Sequence, residues 1–307
     1  MSTPEKKSKG RLLDILYLAL AIVPLIGCMV LKILTTPATE GITISGAHYY
    51  FIIHMPFGGP SAISTLPITE SQVNSWAVIF SLLGICLFLT NGIAVRGGSK
   101  RQMVAEWMVE QVNKLVHDNM GERFMGFAPF VAAILGLSAL SSLSSLLGLF
   151  PPTSDINVVA GWAILVFFLI TYYKMKGGFV NYLKGFADPI PVFAPFNVIS
   201  EIATPISMAF RHYGNVLSGV VISALIAAAL EGLSSLLLGW LPGVLGTIPF
   251  LKIGLPAILS FYFDLFSGCL QAFIFAMLTM LYISNGFPEE AYEQRQAKKA
   301  ARKAAHA

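Results

Sequence analysis

The sequence predicts an all-α, polytopic membrane protein with about six membrane-spanning helices. Hydrophobic residues make up 55% of the 307 residues and charged residues only 12%, and the mean hydropathy is +0.72. Because soluble domains carry roughly 25% charged residues, this composition excludes an ordinary soluble domain. Six apolar stretches come close to or exceed the about 20 residues that cross the hydrocarbon layer. They are Leu12–Leu34, Val73–Val95, Phe127–Phe150, Val158–Tyr173, Pro195–Leu230 and Ile253–Ser284.

The first stretch follows a basic segment, as a secretory signal does, and contains Leu25-Ile-Gly-Cys28, which resembles a lipoprotein cleavage site. Asp14 within the stretch and its apolar continuation past Cys28 instead favour a retained membrane helix. The cysteines lie in separate stretches without metal-ligand spacing, so we predict apolar packing residues and expect no metal site and no cofactor. They are Cys28, Cys86 and Cys269.

Basic residues predict the orientation of the chain. They cluster in four segments, and the segments between these clusters are almost free of lysine and arginine. The positive-inside rule places the clusters, and with them both termini, on the cytoplasmic side of a cell membrane. The clusters are Lys6–Arg11, Arg96–Arg101, Lys174–Lys184 and Arg295–Lys303.

Between the second and third stretches, apolar residues recur at helical spacing with charges between them. This pattern predicts an amphipathic helix at the cytoplasmic membrane surface, and a helix docked only on its own protein fits it equally well. The apolar residues are Met103, Val104, Trp107, Met108, Val112, Leu115 and Val116. In the Pro-rich turn before the fourth stretch, Asp155 is predicted to cap the next helix.

The last two stretches are too long for one upright crossing, so we predict two long, tilted or bent helices that form a hairpin. Pro205 and Gly214 make bending of the first of them easy.

Arg211 is the single formal charge between Ile202 and Leu230. A guanidinium keeps its proton in proteins, and placing it at the centre of a membrane helix costs about 2.5–3.5 kcal/mol. Ser207, Arg211 and Asn215 follow i, i+4, i+8 spacing and therefore share one helix face. His212 points about 100° away from that face and is predicted to be a packed histidine. Arg211 is thus the leading candidate for a functional residue.

The final stretch carries a second polar row, in which Asp264, Ser267 and Gln271 follow i, i+3, i+7 spacing. If the two long helices are antiparallel, Gln271 lies at the depth of Arg211. Asp264 then lies roughly 10 Å towards the outside, and Glu201 about 15 Å towards the cytoplasm. The order acid, arginine, acid predicts two separate half-channels. A direct structural ion pair between Arg211 and Asp264 is the alternative.

The sequence offers no second intramembrane acid at the depth of Arg211, so we expect its carboxylate partner to come from another subunit. Small residues beside the polar face would let a foreign helix approach closely. They are Ala209, Gly214, Ser218 and Gly219, of which Gly214 serves a bend equally well.

Two motifs resemble subunit a of the F-type ATP synthases. Pro205-Ile-Ser-Met-Ala-Phe-Arg-His-Tyr-Gly-Asn215 is similar to the family's Pro-x-Ser-x-x-x-Arg-Leu-Phe-Gly-Asn signature, with His-Tyr in place of Leu-Phe. Leu270–Ser284 resembles the family's last helix. Weaker similarity lies in Pro152–Asn157, Lys174–Gly177 and Pro195–Asn197, so the resemblance runs from about residue 73 to residue 284 in the family's order.

The resemblance implies that Arg211 faces a rotor ring of c subunits, with Gln271 and Asn215 as its neighbours. It also implies that Asp264 is the half-channel acid and that Glu201 matches an acid common before the arginine helix. The candidate ion-translocation residues are therefore Arg211, Asp264, Gln271, Asn215, Glu201, Ser207 and Ser267.

The implied function is that of a stator subunit that couples H⁺ or Na⁺ flow to rotation of the c ring. Peripheral-stalk b subunits and the lipid bilayer are further implied partners, and no nucleic acid is expected. A Gly-x-x-x-x-Gly-Lys-Ser/Thr loop is missing from the sequence, so we expect no catalysis here and nucleotide chemistry on other subunits. A stand-alone transporter that binds an anionic substrate through Arg211, and a structural scaffold, are the alternatives.

The resemblance also divides the chain into four parts. Residues 1–11 are predicted to be a basic cytoplasmic tail, and 12–72 an additional N-terminal membrane helix with an external loop. Residues 73–288 form the subunit-a-like membrane domain, and 289–307 a charged cytoplasmic tail.

Overall fold

Nine α-helices dominate the part of the chain that the computed structural model describes, which comprises residues 4–35, 49–54, 65–94, 99–187, 190–238, 254, 258–259 and 261–305. The helices are α1 (Pro4–Thr35), α2 (Glu70–Thr90), α3 (Lys100–Met120), α4 (Ala128–Leu143), α5 (Ile156–Met175), α6 (Phe179–Gly185), α7 (Ala194–Leu238), α8 (Gly268–Asn285) and α9 (Glu289–Ala305). Short 3₁₀ turns span Glu122–Phe127, Ser144–Leu147, Pro152–Ser154 and Pro191–Phe193, and a π-helical segment spans Phe261–Ser267.

Six helical segments in the described residues are long and apolar enough to cross a membrane, which confirms the predicted all-α, polytopic class. They are Arg11–Thr35, Glu70–Thr90, Glu122–Leu147, Ile156–Met175, Pro191–Leu237 and Phe261–Asn285. Most of the predicted sixth span before residue 261 lies outside the described residues.

A small antiparallel hairpin precedes α2 and was not expected from the sequence. Strands β1 (Tyr49–His54) and β2 (Thr65–Thr69) pair with Phe51 opposite Ile68. Aromatic and β-branched residues in both strands favour this extended pairing. These residues favour strands only over a few positions. A short hairpin in a connecting loop leaves the all-α class unchanged.

Ion pairs mark the two ends of the helical bundle. At one end Asp14 of α1 lies 2.7 Å from Arg101 of α3. At the other end Lys32 of α1 lies 3.1 Å from Glu70 of α2. We call the end with the Asp14–Arg101 pair the α3 end, and α5 ends and α7 begins there. We call the end with the Lys32–Glu70 pair the hairpin end, because the β-hairpin lies there.

The main apolar core joins the second half of α3 to α4, α5 and α8. Val116 and Met280 are completely buried in it, and Val112 and Leu115 pack against it. The first half of α3 instead exposes Met103, Val104, Trp107 and Met108. The helix itself is therefore confirmed, with one half docked on its own protein and the other presenting an apolar surface, and its place at the cytoplasmic membrane surface stays a prediction.

Helix α7 contains 45 residues and is continuous through Pro205. At about 1.5 Å per residue it is longer than the roughly 30 Å hydrocarbon layer, so it cannot cross a bilayer upright. Asn215 of α7 contacts Ser267, and Gly219 contacts Phe263. Residue numbers rise along α7 as they fall along its neighbour, so the two long helices are antiparallel, as predicted.

Asp155 caps α5 as predicted, because its carboxylate accepts a hydrogen bond from the Asn157 backbone N–H at 3.0 Å. Cys28 is buried among apolar residues. Cys86 is exposed on α2, so the prediction that it is a packing residue is wrong.

Candidate functional site

Arg211 lies on an exposed face of α7, together with Ser207 and the 59% exposed ring of Phe210. No acid of the described residues lies within ion-pair distance of it, Asp264 included. The alternative of an Arg211–Asp264 ion pair within this chain is therefore wrong for the described structure. An uncompensated cation on an apolar surface calls for an anion from elsewhere.

His212, the next residue, is completely buried. Its Nε2 lies 3.4 Å from the Ser138 hydroxyl, and its ring makes edge contacts with Trp162 and Phe275. The predicted packed histidine is therefore confirmed. Its Nδ1 has no hydrogen-bond partner among the described residues.

Two of the four small residues beside the polar face pack within this chain. Ala209 is buried with Val159 and Ala163 on α5. Gly219 lies against Phe263, where an added Cβ would come within 3.1 Å of the Phe263 side chain. The expectation that Ala209 and Gly219 admit a foreign helix is wrong, because neighbouring helices of this chain already fill that space.

Asn215 links the two long helices. Its Nδ2 donates to the Ser267 hydroxyl at 2.8 Å, and the Ser267 hydroxyl lies 3.2 Å from Asn215 Oδ1. Arg211 precedes Asn215 by four residues, and Gln271 follows Ser267 by four residues. Because the helices are antiparallel, Arg211 and Gln271 lie at the same level, nearer the α3 end. Gln271 is buried, whereas Arg211 is exposed.

Asp264 lies on the π-helical segment rather than on an α-helix. The predicted i, i+3, i+7 face assumed α-helical geometry, and a π segment shifts the direction of its side chains relative to α8. The assumption of a single α-helical face for Asp264, Ser267 and Gln271 is therefore wrong. Asp264 and Ser267 nevertheless both lie beside Asn215.

A small cavity of about 10 Å³ lies beside Asp264 and is close to the smallest volume that holds a water molecule. We call it the hairpin-end cavity. The hydroxyls of Ser142 and Ser145 lie in its wall and are buried without a partner among the described residues. Buried hydroxyls of this kind are usually satisfied by water. The full lining is Ser142, Ser145, Pro151, Asn215, Val216, Gly219, Phe263, Asp264 and Gly268.

Ser142 and Ser145 are absent from the residues predicted above. The signal was available in the run Ser141-Ser-Leu-Ser-Ser145, which places four hydroxyls at the end of an otherwise apolar span. Spacing within one helix could not show that they face Asp264, which is more than a hundred residues away.

Glu201 lies at the opposite end of α7. Its carboxylate is 3.0 Å from the Lys174 ammonium and accepts a hydrogen bond from the Tyr182 hydroxyl at 3.3 Å. Burial raises the pKa of Tyr182, and the charge of Glu201 raises it further. The phenol therefore keeps its proton and remains a donor to Glu201. Lys174, predicted only as part of a basic cluster, thus becomes a member of the site.

These residues line a larger cavity of about 390 Å³, which we call the α3-end cavity. Its wall combines polar and apolar groups in similar amounts and comes from α5, α6, α7 and the loop after α8. The lining is Lys174, Asn181, Tyr182, Gly185, Phe186, Asn197, Ser200, Glu201, Thr204, Gly286 and Pro288. No lining residue is shared with the hairpin-end cavity.

Arg211 lies between the two cavities along α7. Glu201 precedes it by ten residues, or about 15 Å. The hairpin-end cavity is reached at Asn215, four residues or about 6 Å along α7 in the other direction. The arrangement therefore offers two polar compartments at opposite ends, with one cation between them.

Within the described ranges, no group of three or more His, Cys, Asp or Glu side chains is placed to hold a metal ion.

Comparison with known proteins gives a consistent assignment. The family described as ATP synthase A chain matches residues 73–284. ATP synthase subunit a of Anoxybacillus flavithermus (strain DSM 21510 / WK1) is 33% identical over 212 residues, which cover 66% of this chain and 84% of the relative. The subunit a of Bacillus subtilis (strain 168) is 32% identical over 235 residues, covering 72% and 92%. That of Legionella pneumophila subsp. pneumophila (strain Philadelphia 1 / ATCC 33152 / DSM 7513) is 28% identical over 238 residues, covering 77% and 92%.

The matched residues include most of α2, all of α3 to α7 and nearly all of α8. They therefore contain Arg211, the whole lining of the hairpin-end cavity and all of the α3-end lining except Gly286 and Pro288. Helix α1 precedes the match. The six apolar spans agree with a membrane-embedded member. The chain therefore belongs to the ATP synthase A chain family and is a multi-pass subunit in the membrane sector of an F-type ATP synthase.

Proposed function

We propose that this chain forms two offset half-channels and couples ion flow to rotation of a c-subunit ring through Arg211. The observation that carries the proposal is the exposed guanidinium, which has no acidic partner in the described chain and lies between two separate polar cavities. A fixed cation at this point opposes direct passage of a cation from one cavity to the other.

Ions enter at the hairpin end, past Asp264 and Ser267, and load onto a carboxylate of a c subunit. Asn215 holds Ser267 in place, and the hydroxyls of Ser142 and Ser145 supply further polar groups along this route. This assignment makes the hairpin end the external side and the α3 end the cytoplasmic side. It agrees with the basic clusters near the α3 end.

After rotation, the neutralised carboxylate reaches the α3-end cavity and releases its ion near Glu201. Lys174 and Tyr182 contact the Glu201 carboxylate and hold it in the wall of this cavity.

Arg211 lowers the pKa of a c-subunit carboxylate that comes close to it and so forces that carboxylate to release its ion. Ser207 lies one helical turn before Arg211 on the same face of α7, and Gln271 lies level with Arg211 on the neighbouring helix. Both side chains help to orient this encounter. Each elementary charge that crosses the membrane gains about 2.3 kcal/mol per 100 mV, which supplies the energy for rotation.

Within this scheme, residues 12–72 are an addition before the family domain of residues 73–288, and the segments 1–11 and 289–307 are cytoplasmic tails. The c ring faces the exposed side of α7, b subunits complete the stator, and nucleotide chemistry takes place on other subunits.

Purification and transport assays test this function against a stand-alone transporter. The tagged chain should be isolated from membranes together with a ring of small acidic hairpin subunits, and the purified chain alone should catalyse no anion uptake into liposomes. Uptake of an anionic substrate by the isolated chain, without any ring subunit in the preparation, would contradict the proposal.

A further inference from the structure

The loop that follows α4 lies between the added helix α1 and the hairpin-end cavity. Lys32, near the end of α1, donates a hydrogen bond to the Gly148 carbonyl at 2.8 Å. The same ammonium lies 3.1 Å from the carboxylate of Glu70, which is only 1% exposed. A carboxylate buried to this degree depends on its cationic partner.

Glu70 continues the connection from α1 to the loop. Its Oε1 accepts a hydrogen bond from the Phe150 backbone N–H at 3.3 Å, and Asn74 of α2 donates to the Phe150 carbonyl at 2.9 Å. Gly148 adopts a φ of +74°, which favours glycine and turns the chain into this loop. The backbone from Gly148 to Phe150 is thus held by side chains of α1 and α2.

Apolar packing adds to these polar contacts. Leu149 is 3% exposed and is buried against Cys28 of α1 and Ala77 of α2. Helix α1 is itself packed tightly on α2, because the Ser81 hydroxyl donates to the Ala21 carbonyl at 2.6 Å. A shift of α1 would therefore move the loop.

Pro151, the next residue of this loop, lines the hairpin-end cavity beside Asp264 and Asn215. A chain of contacts thus runs from Lys32 through three consecutive loop residues to the wall of the cavity. Because Lys32 and Glu70 precede residue 73, the family match does not include them.

We propose that α1 positions the entrance of the hairpin-end half-channel: Lys32 and Glu70 fix residues 148–151 so that Pro151 sets the width of the cavity beside Asp264. This inference rests on the proposed function of that cavity. Lys32 and Glu70 are positioning residues, since neither lines the cavity itself.

Among the described residues, the other titratable groups at this corner are Asp155, Tyr50 and Cys28. Asp155 accepts a hydrogen bond from Ser71, next to Glu70. Burial, followed by the charge of Glu70, raises the pKa of Tyr50 to about 12, so that phenol is neutral at ordinary pH. The Lys32–Glu70 pair is thus the charged contact that joins α1 to α2 here.

The test uses the assembled synthase in liposomes, with its nucleotide sites facing the bath and the hairpin end facing the lumen. ATP synthesis is driven at a fixed membrane potential while the lumenal H⁺ or Na⁺ concentration is varied. This titration yields a half-saturating ion concentration and a maximal rate. The main variant is Lys32→Met with Glu70→Gln, which removes the ion pair without leaving a buried charge.

The double variant should raise the half-saturating lumenal ion concentration by about three-fold or more, since small displacements at an entry site weaken loading, and should change the maximal rate less. Lys32→Arg, which keeps the charge and the donors, should behave as the unmodified protein. Asp14→Asn is the matched control, because it weakens the Asp14–Arg101 contact at the other end of α1. It should leave the half-saturating concentration unchanged.

Gly84→Ala provides a second variant without a change of charge. A Cβ at residue 84 would lie 2.5 Å from the Ala21 backbone nitrogen and would push α1 away from α2. Gly84→Ala should raise the half-saturating lumenal ion concentration, as the double variant does. Unchanged titrations in the assembled double variant and in Gly84→Ala, or an equal shift in Asp14→Asn, would overturn the inference. All these variants keep Arg211. A negative result would therefore overturn the role of α1 without contradicting the proposed function, which the Arg211 variant tests separately.

Discussion

At the scale of single residues, Arg211 and Asp264 are opposite charges on the two neighbouring long helical segments. Arg211 is exposed on α7, and Asp264 is half-buried beside the hairpin-end cavity. Two opposite charges in neighbouring helices would attract each other strongly if they met in a low-dielectric interior. In the proposed scheme, their separation lets each one serve a different step of ion transfer.

Asp264→Asn should slow ATP-driven ion pumping by about ten-fold or more, because the route would lose its positioned carboxyl group. Assembly should be retained, since the Asn215–Ser267 contact does not involve Asp264. Pumping is measured in inverted membrane vesicles, with Asp118→Asn, an exposed acid on α3, as the control. Equal pumping rates in both variants would show that Asp264 is dispensable.

His212→Leu should leave pumping within about two-fold of the unmodified rate, because a hydrophobic side chain of similar size fits the same packing site. Leucine removes the buried Nδ1, which has no partner among the described residues, and also the weak 3.4 Å contact with the Ser138 hydroxyl. These two effects oppose each other, so thermal stability should change little. Vesicle pumping and thermal unfolding of the complex are the measurements. A variant that assembles but cannot pump would identify His212 as part of a proton route.

The polar residues on one helix could be predicted from the sequence, because i, i+4 spacing fixes which side chains share a face. Arg211, Ser207 and Asn215 were found in this way. The Lys174–Glu201 ion pair and the approach of Ser142 to Asp264 could not be predicted, since each joins two helices whose mutual packing is not encoded by spacing.

At the scale of helices, the sequence predicted the spans well because the hydrocarbon layer demands long, nearly uncharged segments. It did not predict the π-helical segment at Phe261–Ser267, because α-helical periodicity assumes one hydrogen-bond pattern throughout. The β-hairpin before α2 was also missed, since its short strands lie in a loop between spans.

Helix α1 offers a prediction at this scale. Lys32→Met alone should lower the free energy of unfolding by on the order of 2–3 kcal/mol, because it leaves the buried Glu70 carboxylate without its cation. The double variant Lys32→Met with Glu70→Gln should lose less of the free energy of unfolding, because it leaves no buried carboxylate. Thermal unfolding of the detergent-solubilised complex compares the two. A single variant at least as stable as the double variant would show that the ion pair contributes little.

At the scale of the whole molecule, the two cavities open towards opposite ends of the bundle and have no lining residue in common. The hairpin-end cavity is small and lies beside the antiparallel pair of long helices, whereas the α3-end cavity is wider and lies where α7 begins. In the proposed scheme, an ion bound to a rotating partner uses both compartments without a continuous channel through this chain. Arg211 then lies at the point that a continuous channel would have to cross.

The central claim is that Arg211 couples ion flow to rotation and separates the two half-channels, and Arg211→Ala tests it most directly. ATP-driven pumping and passive ion conduction are measured in the same vesicles, before and after removal of the nucleotide-binding sector, with Arg123→Ala as the matched control. Arg123 lies at the α3 end and pairs with Glu293 at 3.0 Å. We predict that Arg211→Ala abolishes coupled pumping while passive conduction persists, and that Arg123→Ala changes neither. Full ATP-driven pumping by an assembled Arg211→Ala complex would contradict the account.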